Sequence, residues 1–103
     1  MLYTIEDFQE INKPENIVIT QHSRKRFAER GIKIADVCNA ISVGSIIELY
    51  PDDYPVPSCL IKGMSANKII HICASIMDNR INIITAYFPS AEKWENDWRT
   101  RKV

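Results

Sequence analysis

The chain has 103 residues, 46% of them hydrophobic and 25% charged, with 13 basic side chains balancing 13 acidic ones. Those proportions describe an ordinary globular domain of common size, so residues 1–103 are expected to form one domain whose core needs no staples. They exclude a collagen-like, disordered or disulfide-dense chain, and a neutral net charge does not advertise a nucleic-acid partner.

Thr4 to Ile11 reads as a first short helix, capped by Thr4, with Glu6 and Asp7 at its positive end and Ile5, Phe8 and Ile11 on one face. "NKPEN" breaks it, and "IVI" at Ile17–Ile19 is a brief extended approach to the next segment. Thr20 caps a second helix running to about Arg30. Gly31 fits a left-handed stop there, and Ile32 would close back on Phe27. Ile34 to Val43 forms a third helix with Ile34, Val37, Cys38 and Ile41 on one face, and Gly44 is expected to end it as Gly31 ends the second.

After Gly44 the period changes. "SIIELY", "SCLIKGM", "KIIHICASIM" and "RINIITAYF" are short segments rich in β-branched and aromatic residues, separated by "PDDYPVP", "SAN" and "DN". Helices followed by four consecutive strands predict an α+β fold, with N-terminal helices packed on one face of a four-stranded antiparallel sheet. "PSAEKWENDWRTRKV" reads as a final helical turn or two, placing Trp94 and Trp98 on a shared face.

Charge is unevenly spread. Residues 1–20 hold Glu6, Asp7, Glu10 and Glu15 against Lys13, whereas residues 21–33 hold Arg24, Lys25, Arg26, Arg30 and Lys33 against Glu29. On the second helix His22, Arg26 and Arg30 follow at i, i+4 and i+8, a stripe of one imidazole and two guanidiniums. Guanidinium forks hold phosphate bidentately and histidine changes protonation near neutrality, so this stripe suits an anionic ligand. Salt bridges to Glu29, Glu48 or the acidic loop would account for the same charges without a ligand.

His71 lies mid-strand in "IIHICA". Alternation puts Ile70, Ile72, Ala74 and Ile76 on the face that the helices cover, and His71 on the opposite, more open face. Tyr87 joins that face only under one turn geometry. A two-residue Asp78-Asn79 loop pairs position 71 with 86, and a three-residue loop pairs it with 85. Lys62 carries the same ambiguity. Asp52 and Asp53 in "YPDDYPVP" are adjacent carboxylates without a nearby third ligand, so turn formation or salt bridging explains them better than a metal.

Nucleotide-phosphate loops, dinucleotide fingerprints, zincin and serine-hydrolase motifs are all missing, and no cofactor is implied. Cys38, Cys59 and Cys73 form no C-x-x-C pair, which argues against a zinc knuckle and for a reduced, cytoplasmic setting. "MLYTIEDFQEI" lacks the basic and long apolar parts of a secretion signal. No apolar run approaches the ~20 residues that span a bilayer.

The string "TQHSRKRFAERGI" with "DVCNAI", "IIELYPDDYPVPSCLI", "IIHICASI", "INIITAYFP" and "KW-x-x-D" resembles a small prokaryotic family described as a domain of unknown function. That family is toxin-like and related to the RelE-type ribonucleases of toxin–antitoxin systems. The resemblance implies helices packed on a four-stranded antiparallel sheet, with RNA bound on the free side. It also implies a cognate antitoxin partner with zinc-finger and helix-turn-helix parts. The matching positions are His22, Arg26, Arg30, Tyr50, Pro51, His71, Tyr87 and Trp94. This chain departs from such toxins in being neutral rather than strongly basic.

Three functions follow as expectations. The first is a metal-independent endoribonuclease acting on RNA, free or on the ribosome. His71 and His22 would be its base and acid, Tyr87 an alternative proton donor, and Arg26 a stabiliser of phosphate charge, with Arg24, Arg30 and Lys62 as further phosphate contacts. The second is a non-catalytic protein-binding module, in which His22, Arg26 and His71 occupy separate surfaces. The third is a metal-dependent hydrolase that would need His22, His71, Asp52 and Asp53 within coordination distance. Oligomeric state stays open, a homodimer included.

Overall fold

The computed structural model describes residues 3–103. α1 (Ile5–Glu10), a 3-10 turn (Pro14–Asn16), β1 (Ile17–Ile19), α2 (Gln21–Arg30) and α3 (Ile34–Ser42) precede β2 (Ser45–Tyr50), β3 (Ser58–Ser65), β4 (Lys68–Met77) and β5 (Arg80–Tyr87). No helix among the described residues is long and apolar enough to cross a membrane.

The helix boundaries follow from local chemistry. The Thr4 hydroxyl accepts the Asp7 amide and the Asp7 carboxylate accepts the Thr4 amide, a capping box that satisfies two otherwise free donors. The Thr20 hydroxyl accepts from the Ser23 amide at 3.1 Å. At the other end of α2, Gly31 has φ of 69°, the Ile32 amide donates to Phe27 at 2.9 Å and the Gly31 amide to Ala28 at 3.2 Å. That is the expected Schellman closure.

Gly44 works differently from expectation. It does not adopt the left-handed conformation; Val43 caps α3, and a Cβ on Gly44 would lie 2.7 Å from the Ala40 carbonyl oxygen. The glycine is there for lack of space. Gly63 is tighter still, since an added Cβ would stand 2.1 Å from the same oxygen. The α3 backbone rests directly on β3 at this point.

The sheet has five strands in the order β1-β5-β4-β3-β2, not four. β2 to β5 form the expected antiparallel meander. Ile17–Ile19, read as an extended approach, is a fifth strand that pairs in parallel with β5, so the sheet is mixed. Its hydrogen bonds join residues more than sixty positions apart, which local patterning does not register. Phe8, Phe27, Val37, Ile41, Ile61, Ile72, Ile81 and Ala86 belong to the core between helices and sheet. Each large apolar side chain buried this way contributes about 1.5–3 kcal/mol relative to exposure.

The tail is not helical. Residues 90–101 run as turns closed by a bridge between Trp94 and Arg101, with Trp98 at φ of 58°. Hydrogen bonds to distant strands hold this conformation, overriding the helical spacing of the two tryptophans.

Candidate active site

On the sheet face away from the helices, Lys62, His71 and Tyr87 stand in one row across β3, β4 and β5. The turn after β4 has two residues, with Met77 opposite Arg80, a register that by itself would pair His71 with Ala86. A bulge between Cys73 and Ala74 changes the outcome. Ile84 is the extra residue on β5, so Cys73 faces Thr85 and His71 faces Tyr87. Ile84 points outward, 49% exposed, and its carbonyl accepts the Ser23 hydroxyl from α2 at 3.3 Å. The second helix therefore reaches the carbonyl of the bulged residue.

His71 was expected on an open face. It occupies the expected face but is 0% exposed, because the tail roofs it. The Trp94 ring meets the imidazole edge-on with centroids 4.4 Å apart. Nε2 of His71 lies 2.7 Å from the Trp98 carbonyl oxygen, and Nδ1 lies 3.3 Å from the Tyr87 hydroxyl. A carbonyl only accepts, so Nε2 carries the proton and Nδ1 accepts from Tyr87. The roof is tied down by Lys62, whose ammonium donates to the Asp97 carbonyl at 2.9 Å, and by Arg99, which donates to Ser45 at 2.9 Å. Arg101 forks onto Glu48 at 2.8 and 3.0 Å, and Tyr50 donates to the same carboxylate.

These contacts set the charge states. Desolvation holds the His71 imidazole below its ordinary pKa despite opposing pulls from the Trp98 carbonyl and Glu48. Burial pushes the Tyr87 phenol up. The Arg101 hydrogen bonds hold Glu48 below the usual carboxylate range, and Glu48 in turn raises Arg101. Burial, then Glu48, raises Tyr50. His71 is thus a neutral acceptor and Tyr87 a protonated donor. Burial also raises Cys73, and pushes Cys59 up to about 12, so neither thiol is an activated nucleophile.

Tyr87 connects the roofed histidine to the surface. It lines a cleft of about 430 Å³ with Arg30, Phe88, Ser90, Lys93, Trp94 and Arg101. Arg30 is fixed there by donating to the Ala86 carbonyl at 2.7 Å and the Thr85 hydroxyl at 3.4 Å. His22 and Arg26 instead line a smaller depression of about 190 Å³ with Ser23, Phe27, Ile84 and Thr85. The α2 stripe is therefore divided between two hollows, each lined in part by residues of β5. Arg24 is exposed on α2, as is Pro51 in the loop after β2.

Asp53 accepts a short hydrogen bond from Ser58, while Asp52 is exposed. Among the described residues no three His, Cys, Asp or Glu side chains converge as a metal site, so His22, His71, Asp52 and Asp53 do not assemble.

Sequence reasoning missed Arg101 and Lys93 entirely and gave Glu48 only as a salt-bridge partner. Arg101 reaches Glu48 across 53 positions, and no periodicity encodes that contact. The Tyr50–Glu48 pairing had a faint signal, since the two residues are i and i+2 on one strand and share a face.

No curated protein and no solved structure matches the chain. A family model does match, over residues 19–88, spanning α2 through the end of β5 and including His22, Arg26, Arg30, Tyr50, His71 and Tyr87. The chain belongs to the family described as Domain of unknown function (DUF4258).

Proposed function

We propose that the protein is a metal-independent endoribonuclease of the toxin kind, with Tyr87 as its reacting side chain. One observation carries this reading. The Tyr87 hydroxyl, on the wall of a cleft with three cations, donates to a buried histidine whose tautomer is fixed from behind. The reading keeps the expected His/Arg/Tyr chemistry and moves its centre.

In RNA cleavage the 2′-hydroxyl attacks the adjacent phosphorus and the 5′-oxygen leaves. Tyr87 Oη takes the 2′-hydroxyl proton as its own proton passes to His71 Nδ1. The resulting imidazolium donates through Nε2 to the Trp98 carbonyl and through Nδ1 to Tyr87, so both its protons stay satisfied. The raised phenol pKa favours this concerted transfer over a free tyrosinate. Arg30, Lys93 and Arg101 face the charge growing on the phosphate. His22, exposed in the neighbouring depression, is the proton donor for the leaving 5′-oxygen in this reading.

The meander with helices on one face supports a RelE-like relation in this reading, as does the resemblance of the α2 and β4 motifs. An antitoxin protein with zinc-finger and helix-turn-helix parts would be the partner in the cytoplasm. A second reading, a binding module without catalysis, is favoured by the full burial of His71 and its separation from the His22–Arg26 hollow.

The deciding experiment is cleavage of defined RNA, free and on programmed ribosomes, in EDTA. It compares the protein with folded Tyr87→Phe and Arg26→Ala variants. Cleavage that survives chelation and drops by orders of magnitude in Tyr87→Phe supports the ribonuclease. Silence on both substrates supports the module.

A further inference from the structure

The cleft holds more positive charge than its protein contacts consume. Arg101 is neutralised by Glu48, but Arg30 bonds only to a carbonyl and a hydroxyl, and the Lys93 ammonium hydrogen-bonds to no described residue. No acidic side chain lines the cavity. Two cationic charges are therefore left facing a concave space within the size range of small-ligand sites.

Arg101 is held from two sides. The Glu48 fork engages its Nε and Nη2, and its guanidinium carbon lies 4.6 Å from the Trp94 ring centroid. The same guanidinium lines the cleft. An arginine held by a carboxylate and an aromatic face has lost most of its rotamer freedom before a ligand arrives, which lowers the cost of binding. Beside the cations, Phe88 is 38% exposed on the cleft wall. The Lys68 ammonium stands 5.3 Å from its ring centroid, and the exposed part of the ring lies next to the charge.

We propose that this cleft is a phosphate site for a nucleotide unit. Arg101 and Lys93, with Arg30, bind the phosphate group, Phe88 receives the adjoining base, and Glu48 acts as the positioning residue for Arg101. The aromatic wall favours a base-bearing phosphate over a bare anion, because a base can stack on an aromatic ring. The site rests on the ribonuclease reading for its substrate, but the binding it describes requires no cleavage.

The test uses a 2′-deoxy tetranucleotide, which lacks the attacking hydroxyl, and inorganic phosphate as separate probes. Binding to the full chain is followed by calorimetry and by amide and indole NMR shifts. The tetranucleotide is expected to bind more tightly than phosphate and to perturb Tyr87, Phe88 and Trp94. Arg101→Gln and Lys93→Gln should each weaken it about tenfold or more, as for loss of a charged hydrogen bond. Each should also reduce the slope of log affinity against log salt by about 0.7. Glu48→Gln should weaken binding with the folded spectrum retained, and Glu48→Asp should restore part of it.

Shifts confined to His22, Arg26 and their neighbours would overturn the assignment, as would unchanged affinity in folded Arg101→Gln and Lys93→Gln proteins. So would the absence of binding by either probe. Binding at the cleft by a protein that cleaves no RNA keeps the phosphate site and rejects the ribonuclease. Cleavage without cleft perturbation rejects the phosphate site together with Tyr87 as the reacting group, and leaves a ribonuclease whose centre lies elsewhere.

Discussion

His71 stands directly opposite Tyr87 in the β4–β5 ladder, with its Nδ1 3.3 Å from the phenolic oxygen. The pairing exists only because Ile84 bulges out of β5. If Tyr87 is the reacting group, Tyr87→Phe should abolish the metal-independent cleavage while leaving the fold unchanged. His71→Gln should retain more activity than Tyr87→Phe, because histidine acts through the tyrosine. Rates of both variants on one RNA in EDTA decide this, and equal activity of Tyr87→Phe and the parent rejects the role.

The protonation of His71 makes a second prediction. Its folded pKa is lowered, chiefly by desolvation, so the unfolded chain binds the proton more readily. Stability is therefore complete above the unfolded histidine value of about 6.5 and declines as pH falls from there toward the folded value. Each unit of separation corresponds to ~1.4 kcal/mol. Urea unfolding between pH 7.5 and 5 should show falling stability, flattened in His71→Gln. A slope that persists in His71→Gln would sink the idea.

The helices of the first half were legible because their signals are local. Thr4, Thr20 and Gly31 do at a helix end what their chemistry dictates, and the apolar spacing of Val37 and Ile41 shows which side of α3 is buried. The site was legible only in part. His71 and Tyr87 could be named, but their meeting depends on one bulged residue that the turn sequence does not encode. The tail was misread because Trp94 and Trp98 match a helical spacing, while Lys62, His71 and Glu48 hold that segment from three different strands. Arg101 gains its meaning only from those contacts.

The contact of α3 with β3 yields a prediction independent of function. A Cβ at Gly63 would stand 2.1 Å from the Ala40 oxygen and 2.5 Å from its carbonyl carbon, both rigid backbone atoms. Gly63→Ala must push the helix off the sheet, so a loss of about 3 kcal/mol or more is expected, at the upper end of overpacking costs. Equilibrium unfolding measures it. A loss below 1 kcal/mol would mean that α3 can shift freely.

The roof over His71 makes the last prediction. Trp94 is 2% exposed and packs on His71, but it lies outside the main helix–sheet core. The ion pair that ties the tail down joins a partly exposed Glu48 to a more exposed Arg101, and exposed pairs contribute only about 0–1 kcal/mol. Trp94→Ala should therefore free the tail without unfolding the core. The desolvation that depresses His71 would then lift, and the pKa of its imidazole should rise toward the ordinary histidine range. NMR titration of His71 reads that change, and amide exchange in α2 and α3 reports whether the core stays protected. If Trp94→Ala unfolds the helices as well, the roof belongs to the same cooperative unit as the core. Access to His71 would then require global opening, leaving Tyr87 as its sole route to a bound substrate.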